Sequence, residues 1–103
     1  MKPTQRQTSL ASFFFALGHK RRLMICELLL QHGATGLSFG LLQKKTHLCA
    51  STLCHHLAHM DKGGILRRRI KANETWISIN YDLLNATQKG FSKSCEGNVA
   101  IIT

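Results

Sequence analysis

The stretch Leu66 to Lys71 reads Leu-Arg-Arg-Arg-Ile-Lys and so sets Arg67, Arg68, Arg69 and Lys71 almost side by side. Cations at that density suit a polyanion, because each phosphate they neutralise releases condensed counterions. Upstream stands Ser51-Thr52-Leu53-Cys54-His55-His56, a run of short polar side chains. Hydroxyl and imidazole groups of this size can donate to, or accept from, the base edges displayed in a DNA groove. One segment therefore has the chemistry to hold phosphates and another the chemistry to discriminate bases. The whole chain has the matching charge: 14 Lys and Arg against 5 Asp and Glu give +9 in 103 residues. A purely solvated cationic face is the bland reading of the arginine run, and a protein-binding surface is the rival functional one.

Other chemistries find little support. Five scattered acidic residues offer few general bases, and no Gly-rich phosphate loop or Ser/His/Asp arrangement is visible. Enzymatic activity is not expected, and no catalytic residue or cofactor is assigned. Cys49, Cys54, His55, His56 and His59 invite a zinc reading, but Cys54 is turned about 100° from His55 on a helix and nothing nearby completes a tetrahedron. They are better explained as groups facing DNA, so no metal is assigned. Cys26, Cys49, Cys54 and Cys95 form no Cys-x-x-Cys pair, which makes reduced thiols the default. The apolar run Leu10 to Leu17 is too short to span a bilayer, and His19-Lys20-Arg21-Arg22 directly follows it. A cytoplasmic protein with no membrane partner is expected.

Periodicity supplies the elements that must position these groups. Leu10, Phe13, Phe14 and Leu17 share a helical face over about Ser9 to Leu17, with Gly18 ending the helix. Lys20 to His32 is apolar enough for a central core helix, capped by Gly33. Ser38 can cap a short helix of Phe39 to Lys45; Thr46-His47-Leu48 then turns the chain into a second helix that runs to Lys62 and stops at Gly63-Gly64. At 100° per residue, Leu53, Leu57 and Met60 share one stripe of that helix while Ser51, His55, Ala58 and Lys62 share the other. Leu66 to Ala72 and the residues after Asn73-Glu74 alternate as a hairpin, and Asp82 to about Lys93 can form a last helix.

These readings define a mainly α fold with a small β-hairpin wing: a winged helix-turn-helix of about five helices and two antiparallel strands. A flexible segment is expected over residues 1–8, the domain over 9–95 and a flexible tail over 96–103. Base contacts are expected from Ala50, Ser51, Thr52, Cys54 and His55. Backbone contacts are expected from Ser38, Lys44, Lys45, Lys62, Arg67, Arg68, Arg69 and Lys71.

At this point the chain resembles the ArsR/SmtB, or arsenical-resistance repressor, family of bacterial regulators over about Ala16 to Cys95. Ala16-Leu17-Gly18-His19-Lys20-Arg21-Arg22-Leu23 is similar to the family's lead into its second helix, and Ser51 to Leu57 resembles its Ser-Thr-x-Ser-x-His-Leu recognition helix. Gly63-Gly64-Ile65-Leu66 and the Arg-rich hairpin follow in register. The resemblance implies a repressor that binds an inverted-repeat operator in double-stranded DNA as a homodimer and is released by an inducer, here unknown. It also implies dimer contacts in the first and last helices, from Leu10, Phe13, Phe14, Leu17, Leu84 and Phe91. Three adjacent Phe, 13 to 15, cannot all face one small core, which agrees with that placement.

The departures concern sensing. Arsenic sensors of the family carry Cys-x-Cys where this chain has Ser38-Phe39-Gly40, and its last helix lacks the His of the family's zinc sites. A redox-sensing subgroup has one Cys in the second helix and one in the last, positions that Cys26 and Cys95 approximate. Inert core packing is the alternative for Cys26. Oxidation of Cys49 or Cys54 beside the groove is a second redox route.

Overall fold

The computed structural model describes residues 1–94, so Cys95 and the expected tail lie outside the described residues. Along the chain run α1 (Gln5–Leu17), α2 (Lys20–Leu30), β1 (Leu37–Ser38), α3 (Phe39–Thr46), α4 (Ala50–Lys62), β2 (Leu66–Lys71), β3 (Glu74–Ile79) and α5 (Tyr81–Ser94). Five helices and the hairpin agree with the periodicity. The third strand was not expected. β1 pairs antiparallel with β3, Leu37 opposite Ile77 and Ser38 opposite Trp76, giving the order β1-β3-β2. Two residues are too few to show alternation, so no sequence pattern marks such a strand.

Local chemistry explains the ends of the elements. α1 starts at Gln5 and not near Ser9, because Thr4 and Gln7 form a capping box: Gln7 N donates to Thr4 Oγ1 at 3.1 Å and Thr4 N to Gln7 Oε1 at 2.9 Å. The first helical turn thus occupies part of the segment expected to be flexible. α2 stops at Leu30, short of His32, with Gln31 at its end; Gly33, at φ +58°, takes a left-handed turn beyond it. Ser38 caps α3, its Oγ accepting from Leu41 N at 3.2 Å. His47, at φ +59°, turns the chain out of α3 toward α4. The hairpin closes through Ala72 and Asn73 at φ +52° and +64°, the two positive values of a tight twist-matched turn.

The core joins every layer. Ile25 and Leu29 of α2, Leu42 of α3, Leu53, Leu57 and Met60 of α4 and Ile77 of β3 have no exposed surface. Gly63 lets the end of α4 press on α1, since a Cβ there would come 2.7 Å from that of Ala16. Gly36 has a stricter reason to be glycine: it sits at φ +70°, and a Cβ would fall 1.9 Å from the Ile77 carbonyl oxygen.

A pair of glycine substitutions separates these roles. Gly36→Ala should destabilise the fold by at least about 2 kcal/mol. Gly40→Ala, in α3 with open space around the added methyl, should be neutral or stabilise by up to about 1 kcal/mol. Urea unfolding followed by circular dichroism measures both, and equal midpoints for the two variants would contradict this account of Gly36.

Candidate nucleic-acid interface

α4 is seated by one stripe and open on the other. Leu53, Leu57 and Met60 are fully buried, while Ala50, Ser51, Cys54, His55 and Ala58 are exposed. Four of the five expected base-reading residues therefore project from the helix, and Thr52 is half-buried beside them. His56 departs from expectation. It lies 100° around the helix from His55, is buried at 5% exposure and packs 4.9 Å, ring to ring, from His19. It faces α2 and not solvent. His59 is half-buried against His55, 4.7 Å away.

The entry to α4 is unusual because Cys49 occupies the N-cap and makes no side-chain bond to the helix backbone. Its Sγ instead lies 3.4 Å from Ser51 Oγ and 3.1 Å from Thr52 Oγ1. Hydrogen bonding to the Ser51 side chain, then to that of Thr52, lowers this exposed thiol to about 7. No carboxylate stands in the first turn of α4, so its outward amides favour an anion.

The expected backbone contacts divide into three groups. Lys44, Lys45 and Lys62 are exposed. Ser38 is 4% exposed and its hydroxyl is committed to the α3 cap, so it cannot reach a phosphate. On the hairpin, Arg67 pairs with Asp82 at 2.7 Å and Arg68 with Asp61 at 2.6 Å. Arg69 and Lys71 are exposed and make no ion pair among the described residues.

The aromatic cluster is split. Phe13, expected at a subunit interface, is 5% exposed and belongs to the core, because its position on α1 points at the buried side that also holds Ala16. Phe14 and Phe91 are 46% and 49% exposed and meet edge-to-face with ring centroids 5.4 Å apart, joining α1 to α5. Leu10, Leu17 and Leu84 are half-buried, the latter two against the core. Phe15 is exposed on the other side, with the Arg22 guanidinium 5.6 Å over its ring.

Cys26 is 3% exposed; burial, then the charge of Glu27, raises its thiol above the ordinary value. That is the opposite of what a reactive thiol requires. Cys95 lies outside the described residues. No group of three or more His, Cys, Asp or Glu among the described residues could hold a metal ion.

Sequence reasoning missed His19, whose Nδ1 accepts from Arg21 N at 3.1 Å to cap α2, and the roles of Asp61, Asn80 and Asp82. His is a rare cap, and Asp61 and Asp82 lie on helices while Arg67 and Arg68 lie on β2, so no period within a single element pairs them.

Two measurements test the site. Burial, then the charges of His19, His55, Arg21 and Arg22, holds His56 below its ordinary value of 6.5; burial, then His55, Arg22 and Lys62, does the same for His59. The Nδ1 atoms of both lie buried without a partner among the described residues. The folded chain thus binds fewer protons than the unfolded one on the acid side, so stability is full above pH 6.5 and is lost as pH falls below it. Urea midpoints should drop between pH about 7.5 and about 5.5, less so in His56→Gln; unchanged wild-type midpoints would refute this. Second, a thiol alkylator should modify Cys49 with half-maximal rate near pH 7 while Cys26 stays protected in the folded chain. Equal labelling of the two would contradict the assignment.

No protein-family model and no curated protein matches the chain, but solved structures do. The predicted DNA-binding transcriptional regulator from E. coli is 31% identical over 80% of this chain and 85% of its own, with a TM-score of 0.60. An ArsR family transcriptional regulator has a TM-score of 0.70 at 17% identity, covering 93% of this chain and 94% of its own. The homodimeric winged helix-turn-helix DNA-binding domain from Mycobacterium bovis has a TM-score of 0.66 at 20% identity, covering 93% and 91%. With the helix-turn-helix of α3 and α4 and the hairpin that follows it, the chain has the winged helix-turn-helix fold of solved ArsR-family regulators, and its identity to the E. coli protein sets it among DNA-binding transcriptional regulators.

Proposed function

We propose that the chain binds double-stranded DNA as a homodimer, recognises an inverted repeat and represses transcription in the bacterial cytoplasm until an inducer or a thiol modification releases it. One observation carries this reading: α4 is anchored through Leu53, Leu57 and Met60 while Ser51, Cys54 and His55 stand exposed along its other side, next to a cationic hairpin. A helix of 13 residues is about 20 Å long and fits the roughly 12 Å major groove. Ala50, Ser51, Thr52, Cys54 and His55 read base edges; Lys44, Lys45, Lys62 and the hairpin hold phosphates.

Homodimerisation rests on the half-exposed Phe14 and Phe91, with Leu10, Leu17 and Leu84 beside them, and on the homodimeric state of the M. bovis domain. A twofold pair of α4 helices then reads two half-sites about one helical turn apart. The burial of Cys26 argues against it as the trigger. A thiol route runs instead through Cys49, because modification there adds bulk at the end of the helix that enters the groove. Among the described residues no helix is long and apolar enough to cross a membrane, in keeping with action on DNA.

Titration of the full chain against an inverted repeat from upstream of its own gene tests the reading. Affinity should fall steeply between low and physiological salt and exceed that for random duplexes by at least about 10³-fold. Ser51→Ala and His55→Ala should narrow that ratio with little effect on non-specific binding. Equal affinity for both duplexes would overturn sequence-specific regulation.

A further inference from the structure

We propose that Arg67 and Arg68 are positioning residues that brace the hairpin, held by Asp82 and Asp61, and that Arg69 and Lys71 are its phosphate contacts. The proposal rests on the DNA-binding reading above and divides a cationic run that the sequence presents as uniform.

The two braced arginines occupy opposite faces of β2. Cross-strand register sets Arg68 opposite the buried Ile77 and Arg67 opposite Ser78. Arg68 accordingly reaches the end of α4, donating from Nη2 to Asp61 at 2.6 Å, while Arg67 reaches the start of α5, donating from Nη2 to Asp82 at 2.7 Å. A single phosphate ridge passing one face of a hairpin cannot take both side chains. These carboxylates are the only aspartates in the chain, and both stand on neighbouring arginines of one strand.

Asn80 completes the brace. Its Oδ1 accepts from Arg67 Nε at 3.3 Å and from Leu83 N at 3.2 Å, which caps α5, and its Nδ2 donates to the Gly64 carbonyl at 3.2 Å. Its backbone N donates to the Ile65 carbonyl at 2.6 Å. The base of the hairpin is thereby tied to α5 on one side and α4 on the other. An isolated exposed ion pair holds little, whereas pairs joined through shared hydrogen bonds restrict geometry. Beyond the brace, toward the Ala72-Asn73 turn, Arg69 and Lys71 remain exposed with no ion pair among the described residues. They can meet phosphate without first giving up an internal partner.

Charge exchange separates a brace from a contact. Arg68→Asp and Asp61→Arg are made singly and together in the full chain, as are Arg67→Asp and Asp82→Arg, with Arg69→Ala for comparison. Duplex affinity is measured across a series of salt concentrations, and amide hydrogen exchange is followed in β2 and β3. Each Arg→Asp single should weaken binding about tenfold and raise exchange in the hairpin; each exchanged pair should return to within about threefold of wild type with an unchanged salt slope. Arg69→Ala should lower the log–log salt slope by about 0.9, one phosphate contact. Exchanged pairs that stay as weak as the singles, with a slope shallower by about one contact, would make Arg67 and Arg68 phosphate ligands and overturn the proposal. Singles indistinguishable from wild type in hairpin exchange would overturn it equally. A wild-type chain that ignores duplex DNA would defeat the DNA-binding reading instead, and hydrogen exchange alone would then decide whether the brace exists.

Discussion

The seating of α4 governs this molecule. Leu53, Leu57 and Met60 lose all contact with solvent in the shared core, and burial of side chains of that size contributes roughly 2 kcal/mol each. Because an α-helix is stiff and its side chains recur at fixed angles, anchoring one stripe determines which residues the other presents. Ser51, Cys54 and His55 are displayed by that anchoring and not by any preference of their own. The same rotation that exposes His55 buries His56, so two adjacent, identical residues have opposite environments.

Charge is distributed with similar economy. A chain at +9 carries self-repulsion that a compact fold must tolerate. Around His56 and His59 the neighbouring charges are His19, His55, Arg21, Arg22 and Lys62, and after burial they hold both imidazoles below their ordinary value. On the hairpin, two carboxylates relieve the crowding at its base and leave its distal half cationic. The cysteines show the same contrast. Cys26, in an apolar core, is held as a thiol, whereas Cys49, among hydroxyls at an exposed helix end, ionises near neutrality.

Much of this was legible from spacing. The order of the elements, the α4 stripes and the hairpin follow from periods of 3.6 and 2 that depend only on side chains near in sequence. What could not be read depends on pairing between distant segments. β1 exists because Leu37 and Ser38 meet Ile77 and Trp76. Phe13 and Phe14 are equally apolar, and only the packing of α1 sends one inward. Ser38 can on paper both cap α3 and bind a phosphate, and its burial with Leu37 in the sheet leaves only the cap. Asp61 and Asp82 read as ordinary surface acids until the fold brings β2 between them. The start of α1 is a different case: the Thr4 and Gln7 capping box is a local signal that starts the helix at Gln5, ahead of where its apolar face begins.

The meeting of Phe14 with Phe91 has a consequence for how the molecule is made. One ring comes from the first helix and the other from the last, so the aromatic surface they form together does not exist while the chain is still emerging from the ribosome. During synthesis Phe14 has only its neighbour Phe13 to meet edge-to-face. The self-association proposed above, which uses that surface, has to wait until α5 is made and docked, so chains that still lack α5 have no composite patch by which to trap one another.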